Sequence, residues 1–172
     1  GAWNRALNRP VLHGGPGSPM TPLSHAFQLE WEKHFTVVQW DQRESGKSYQ
    51  GDATAETMTV EQALEDTMEM VDYLRKRFDQ DKIVLLGHSW GSYLGVQAIQ
   101  RESDWFHAYV GVGQVVNMQE NERVTYEYTL EQAKARDHTI ALAELEALAP
   151  YPSDEDFVEK LLTQRKWLLE FG

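Results

Sequence analysis

Lys82-Ile-Val-Leu-Leu-Gly-His-Ser-Trp-Gly-Ser92 is the stretch that decides how this chain folds. Lys82 to Leu86 is an apolar run with no helical spacing, which reads as a buried strand. Gly91 to Arg101 reads as the next helix, and its small residues Gly91, Gly95 and Ala98 permit close approach to a sheet. Between them the chain must turn so tightly that side chains at Gly87 and Gly91 would clash, leaving the Ser89 hydroxyl to project from the bend. The positive end of the following helix then lies at that hydroxyl.

Working outward, Val60, Leu64, Met68, Val71, Leu74 and Phe78 mark one face of a long amphipathic helix, with Thr59 and Gln62 as a capping box. Phe35 to Trp40 suits a buried parallel strand, and Ala108 to Val112 closes the series as a further strand. Thr21-Pro22 predicts an earlier helix, capped by Thr21, with Leu23, Phe27, Trp31 and Phe35 four apart. Strands alternating with helices imply an α/β fold with a mostly parallel sheet flanked by helices. After Gln114 every periodic segment is helical: one helix capped by Asn117 with Glu120, one over Ile140 to Leu148, and one from Ser153 carrying Phe157, Leu161, Leu168 and Phe171. The expected division is a core over residues 1–115 and a helical layer over 116–172.

The 172 residues carry a formal net charge of -11, which supplies no clustered Lys and Arg for nucleic acid or an anionic membrane surface. Residues 118–172 hold 12 acidic and 6 basic side chains, about half of that charge. No apolar run is long enough to cross a bilayer, and Gly1 to Pro10 lacks the order of a secretory signal, so the chain reads as soluble and cytoplasmic. With no cysteine, disulfides, thiolate zinc sites and a Cys nucleophile are excluded. No His, Asp and Glu grouping has metal-ligand spacing, and no cofactor is called for.

Gly87-His-Ser-Trp-Gly91 fits the G-x-S-x-G elbow that presents a nucleophilic serine, here Ser89. The rival reading is a glycine-rich strand-to-helix turn of a dinucleotide-binding unit, with Ser89 only capping the helix, but the G-x-G-x-x-G spacing is missing. A nucleophilic serine needs two N–H donors aimed at the developing oxyanion. One is assigned to Trp90, the residue after the nucleophile. The other falls to His13-Gly14-Gly15-Pro16-Gly17, a loop through which the main chain can approach substrate closely; Gly15 is the donor, since Pro16 has no N–H. Read alone, the same pentapeptide could be just a tight turn.

His13-Gly-Gly-Pro-Gly17, Trp40-Asp-Gln-Arg43 with Ser45-Gly-Lys-Ser48, and Gly87-His-Ser-Trp-Gly-Ser92 together resemble the proline iminopeptidase branch of the α/β-hydrolases. The resemblance covers residues 10–115, and the helices after Gln114 look like the start of that family's helical cap. It implies removal of an N-terminal residue, often proline, from a small peptide through an acyl-enzyme on Ser89. It also implies that cap carboxylates hold the substrate's ammonium group. Glu44 departs from the pattern, standing where the Asp-Gln-Arg segment usually continues with Gly.

The triad of this fold runs Ser, then Asp or Glu, then His in chain order. No strand-like run after Val112 could carry the last two, so triad acid and base are not found, and the chain reads as the front portion of a longer enzyme. His138 reads as an exposed helix-end residue and His88 as a packing residue pointing away from Ser89; His25, His34 and His107 need no catalytic explanation. Two further readings stand beside the aminopeptidase: an esterase or amidase of the same fold, and a non-catalytic α/β fragment acting as an interaction module. Exposed apolar residues in the later helices would suit a homo-oligomer or the missing half of the enzyme equally well.

Overall fold

Strands β1 (Leu7–Leu12), β2 (Phe35–Gln39), β3 (Ile83–His88) and β4 (Phe106–Val112) lie parallel in one sheet, in the order β2-β1-β3-β4. The computed structural model describes residues 7–54, 56–153 and 157–172. The chain divides into two compact units, Gly1–Val115 and Val116–Gly172.

In the first unit, Ile83, Leu85 and Leu12 from the sheet pack against Leu64, Met68 and Val71 of α2 (Val60–Arg77) and Leu94 and Ala98 of α3 (Trp90–Arg101). Thr59 caps α2 by accepting from the Gln62 N–H, but the Gln62 side chain turns to Asp66, so only half of the expected box forms. Two of the strands differ from the sequence reading. β2 is half-buried along its length, and among the described residues it pairs with β1 alone. β4 begins two residues early, at Phe106, where a register shift against Ile83 and Val84 absorbs the extra residue.

The helix expected from Thr21 to Phe35 does not form. A 3₁₀ turn over Thr21–Ala26 is followed by the single turn α1 (Leu29–Glu32). Thr21 caps nothing, because its hydroxyl donates to Asp41 Oδ1 at 2.5 Å, and none of the 3₁₀ residues is buried. Leu23 is 64% exposed and Phe27, Trp31 and Phe35 are only half-buried, and spacing with so little burial does not sustain a helix.

From β1 the chain crosses to β2 on one side, while β3 lies on the other. This reversal of strand order makes the carboxyl ends of β1 and β3 the switch point, where open α/β sheets bind ligands. The loops that leave from those ends are His13–Gly17 and the Ser89 turn.

The second unit holds α4 (Met118–Ala135), α5 (Thr139–Glu146) and α6 (Phe157–Phe171) around Ala133, Ala141, Leu145, Leu148, Trp167 and Phe171. Asn117 caps α4 as its sequence predicts, accepting from the Glu120 N–H. The start expected for α6 at Ser153 runs through residues outside the described ones. Not all of this unit's acids are solvated: Glu122 is 2% exposed and takes the Tyr151 hydroxyl at 2.7 Å and Arg165 Nη2 at 2.5 Å. Those partners offset a desolvation cost of several kcal/mol for a lone buried carboxylate. His138 is half-buried rather than exposed, its ring edge on Trp167 and its Nδ1 accepting from the Ala141 N–H at the start of α5.

Candidate active site

Ser89 stands between β3 and α3 at φ 52, ψ -118, a conformation that non-glycine residues adopt only when the surroundings enforce it. Three constraints enforce it. A methyl at Gly87 would come within 2.7 Å of the Ser92 Cα, and one at Gly91 within 2.7 Å of the His13 carbonyl oxygen, so α3 lies directly on the strand ends. The Ser89 N–H donates to the Val112 carbonyl at 2.9 Å, tying the bend to the end of β4. The Ser89 side chain makes no capping bond to α3, and the residue is only partly buried. The dinucleotide-type reading, in which this hydroxyl serves as the cap, therefore lacks its central contact.

The His13–Gly17 loop lies against that serine. A methyl at Gly14 would sit 3.2 Å from the Ser89 Cβ and 3.0 Å from His88 Nδ1, so any side chain there would press the two loops apart by a few tenths of an ångström. Gly15 holds φ +118, and a side chain there would press on the Gly17 and Ser18 amides. Among the described residues the backbone N–H groups of Gly15 and Trp90 donate to no acceptor. Pro16 and Gly17 are exposed and complete the turn, with Ser18 N–H returning to the Gly14 carbonyl at 3.2 Å.

His13 is 1% exposed and fully used within the fold. Its Nε2 accepts from the Gln42 N–H at 3.0 Å, so Nδ1 carries the proton and donates to the Gly14 carbonyl at 2.9 Å. His13 thus shapes the loop and presents no free nitrogen to a ligand. Gln42 completes the link: its Nε2 donates to the His13 carbonyl at 3.1 Å and its Oε1 accepts the Trp90 indole N–H at 3.3 Å. The Asp-Gln-Arg segment therefore ties the His13 loop to the elbow. Arg43 in turn grips Asp66 of α2 with two bonds of 2.6 and 2.7 Å.

Glu44 has φ 55, the left-handed conformation that glycine would take without strain. Its carboxylate accepts the N–H groups of Gly51 at 2.9 Å and Gln50 at 3.3 Å, which offsets the strain and keeps the loop in place. Asp41 is 9% exposed and accepts from Thr21 Oγ1 and from the Lys47 N–H. Burial pushes its pKa up, but those bonds outweigh burial and the net shift is downward.

Sequence reasoning placed His88 as a packing residue pointing away from the serine. It does pack, against Gly14, with its buried Nδ1 lacking a partner among the described residues. Among the described residues no imidazole hydrogen-bonds the Ser89 hydroxyl. An apolar cavity of about 230 Å³ opens beside the loop, lined by Pro16, Trp40, Met58, Val60, Ala63 and Trp90, and Ser89 is not on its wall. What the sequence did not reveal is the role of Gln42 and the network around Ser92, because polar bridges between distant segments leave no periodic trace.

The α/β hydrolase fold family matches residues 11–154, and the chain belongs to that family. It is 40% identical over 129 residues to the Bacillus subtilis (strain 168) protein named "Probable aminopeptidase YbaC", covering 75% of this chain and 41% of that one. It is 35% identical over 86 residues to the proline iminopeptidase of Lactobacillus delbrueckii subsp. lactis, covering 50% of this chain and 28% of the relative. Among solved structures, a proline iminopeptidase-related protein of Thermus thermophilus superposes with a TM-score of 0.63 at 25% identity, over 97% of this chain and 52% of that one. Mycobacterium smegmatis proline iminopeptidase shares the fold, with a TM-score of 0.56 at 21% identity over 94% and 60%. The chain thus spans 41% of the first curated relative and 52% of the first solved one.

Proposed function

We propose that this chain carries the nucleophile and oxyanion donors of a serine hydrolase that acts on small peptides, an aminopeptidase of proline iminopeptidase type. The observation that carries the reading is the Ser89 turn: a hydroxyl free of any capping bond, on a strained bend, beside two N–H groups that have no acceptor among the described residues. The names of the relatives at 40% and 35% identity support the aminopeptidase reading.

Ser89 Oγ attacks the carbonyl carbon of the N-terminal residue while a general base takes its proton. The carbonyl oxygen gains negative charge and is received by the N–H groups of Gly15 and Trp90, whose fixed directions need no rearrangement as charge develops. Collapse breaks the C–N bond, the base returns the proton to the leaving amine, and water then hydrolyses the ester on Ser89. In the chain order of this fold the acid and then the base follow the nucleophile.

The test is hydrolysis by the intact protein of a proline arylamide against an acyl ester, each with Ser89→Ala as control. Preference for the arylamide, lost in Ser89→Ala, supports the aminopeptidase. Preference for the ester, equally lost, makes it an esterase. Activity unchanged in Ser89→Ala contradicts the serine mechanism.

A further inference from the structure

We propose that Ser92 is a positioning residue that aims the Trp90 N–H at the oxyanion, and that Tyr109 and Gln114 hold it in place; this rests on the reading of Ser89 as nucleophile. Ser92 lies one turn into α3 and is fully buried. Its hydroxyl donates to the Ser89 carbonyl at 2.6 Å and accepts the Val115 N–H at 2.9 Å. The Ser89 carbonyl also receives the Ser92 N–H at 2.8 Å. The direction of that carbonyl matters because it shares a peptide plane with the Trp90 N–H. In a trans peptide the two point in opposite directions, so anchoring the oxygen on one side fixes the donor on the other. A strained φ at Ser89 gives the plane reason to rotate, and the Ser92 hydroxyl opposes that rotation.

The surroundings of Ser92 are built to keep it there. Gln114 Nε2 donates to the Ser92 carbonyl at 3.2 Å and to the Val115 carbonyl at 2.8 Å, while its Oε1 lies 2.7 Å from the Tyr109 hydroxyl. That hydroxyl is also 2.9 Å from the Ser92 carbonyl. Two glycines make room: a methyl at Gly95 would stand 2.5 Å from the Tyr109 ring, and one at Gly111 would overlap Gln114 Oε1. The end of β4 and the residues after it are thereby clamped onto the first turn of α3.

The experiment measures the second-order rate at which a fluorophosphonate labels Ser89 in the intact protein, the site being verified by Ser89→Ala. Ser92→Ala is expected to slow labelling about tenfold, less than the loss from deleting a donor outright. Ser92→Thr, which restores the hydroxyl, is expected within about threefold of the unmodified rate. A merely structural role would not recover with the hydroxyl alone. Labelling of Ser92→Ala within twofold of the unmodified protein overturns the positioning role and leaves Ser89 standing, as does Ser92→Thr as slow as Ser92→Ala. If Ser92→Ala does not fold, Gln114→Leu decides: a slowing of about threefold or more supports the clamp, and an unchanged rate contradicts it. If the unmodified protein takes no label at Ser89, the nucleophile reading fails and the positioning role falls with it.

Discussion

The Trp90 indole donates to Gln42 Oε1 at 3.3 Å across 48 positions of sequence, and the same amide's Nε2 holds the His13 carbonyl at 3.1 Å. One side chain therefore joins the two loops that carry the candidate oxyanion donors. Gln42→Leu is predicted to leave the indole N–H and the His13 carbonyl unsatisfied and to destabilise the protein by about 2 kcal/mol. Urea unfolding measures this; a loss below about 0.5 kcal/mol would mean that Gln42 does not join the loops.

Ser89→Gly separates stability from function. Glycine accepts φ 52 without strain, so the variant is predicted to gain about 1 kcal/mol in unfolding free energy while losing all turnover. Ser89→Ala keeps the strain and shows no such gain. Equal stability of the two variants would place no strain at the turn.

Gly91→Ala puts a methyl against the Leu12 and His13 carbonyl oxygens, which are backbone and cannot swing aside. The predicted cost is about 3 kcal/mol, read from thermal or urea unfolding. A variant as stable as the unmodified protein would mean that β1 and α3 are not packed this closely.

The Asp41 carboxylate holds its charge to lower pH than usual in the folded chain. A depressed folded pKa contributes stability that is fully present above the ordinary carboxylate value and is lost as pH falls through the depressed one. Between pH about 4 and 2 the unmodified protein is therefore predicted to lose stability more steeply than Asp41→Asn. Parallel pH profiles would contradict the role of Asp41 as the charged anchor of Thr21 and Lys47.

How legible these features were in the sequence follows from their physical origin. Val60 to Phe78 declares itself because Leu64, Met68, Val71 and Leu74 are buried at helical spacing. Lys82 to Leu86 does so because a strand covered on both faces is an unbroken apolar run, and Asn117 because a cap bonds its own neighbours. The Gly87–Gly91 turn was readable because only glycine fits beside the backbone atoms there. The segment Thr21 to Phe35 misled because its spacing matched a helix while Leu23 stays exposed and Phe27, Trp31 and Phe35 are only half-buried. The burial of Glu122 left no trace in the sequence, since its partners Tyr151 and Arg165 lie 29 and 43 positions away. Glu44 broke the family pattern, yet the two backbone amides its carboxylate captures take over what a glycine would have supplied.

The most direct measurement is a crystal structure of the intact protein after reaction with a peptidyl phosphonate. The account predicts phosphorus bonded to Ser89 Oγ, with one phosphonyl oxygen about 2.7 to 3.1 Å from the backbone nitrogens of both Gly15 and Trp90. An adduct on any other residue, or an oxygen held by neither amide, would contradict it.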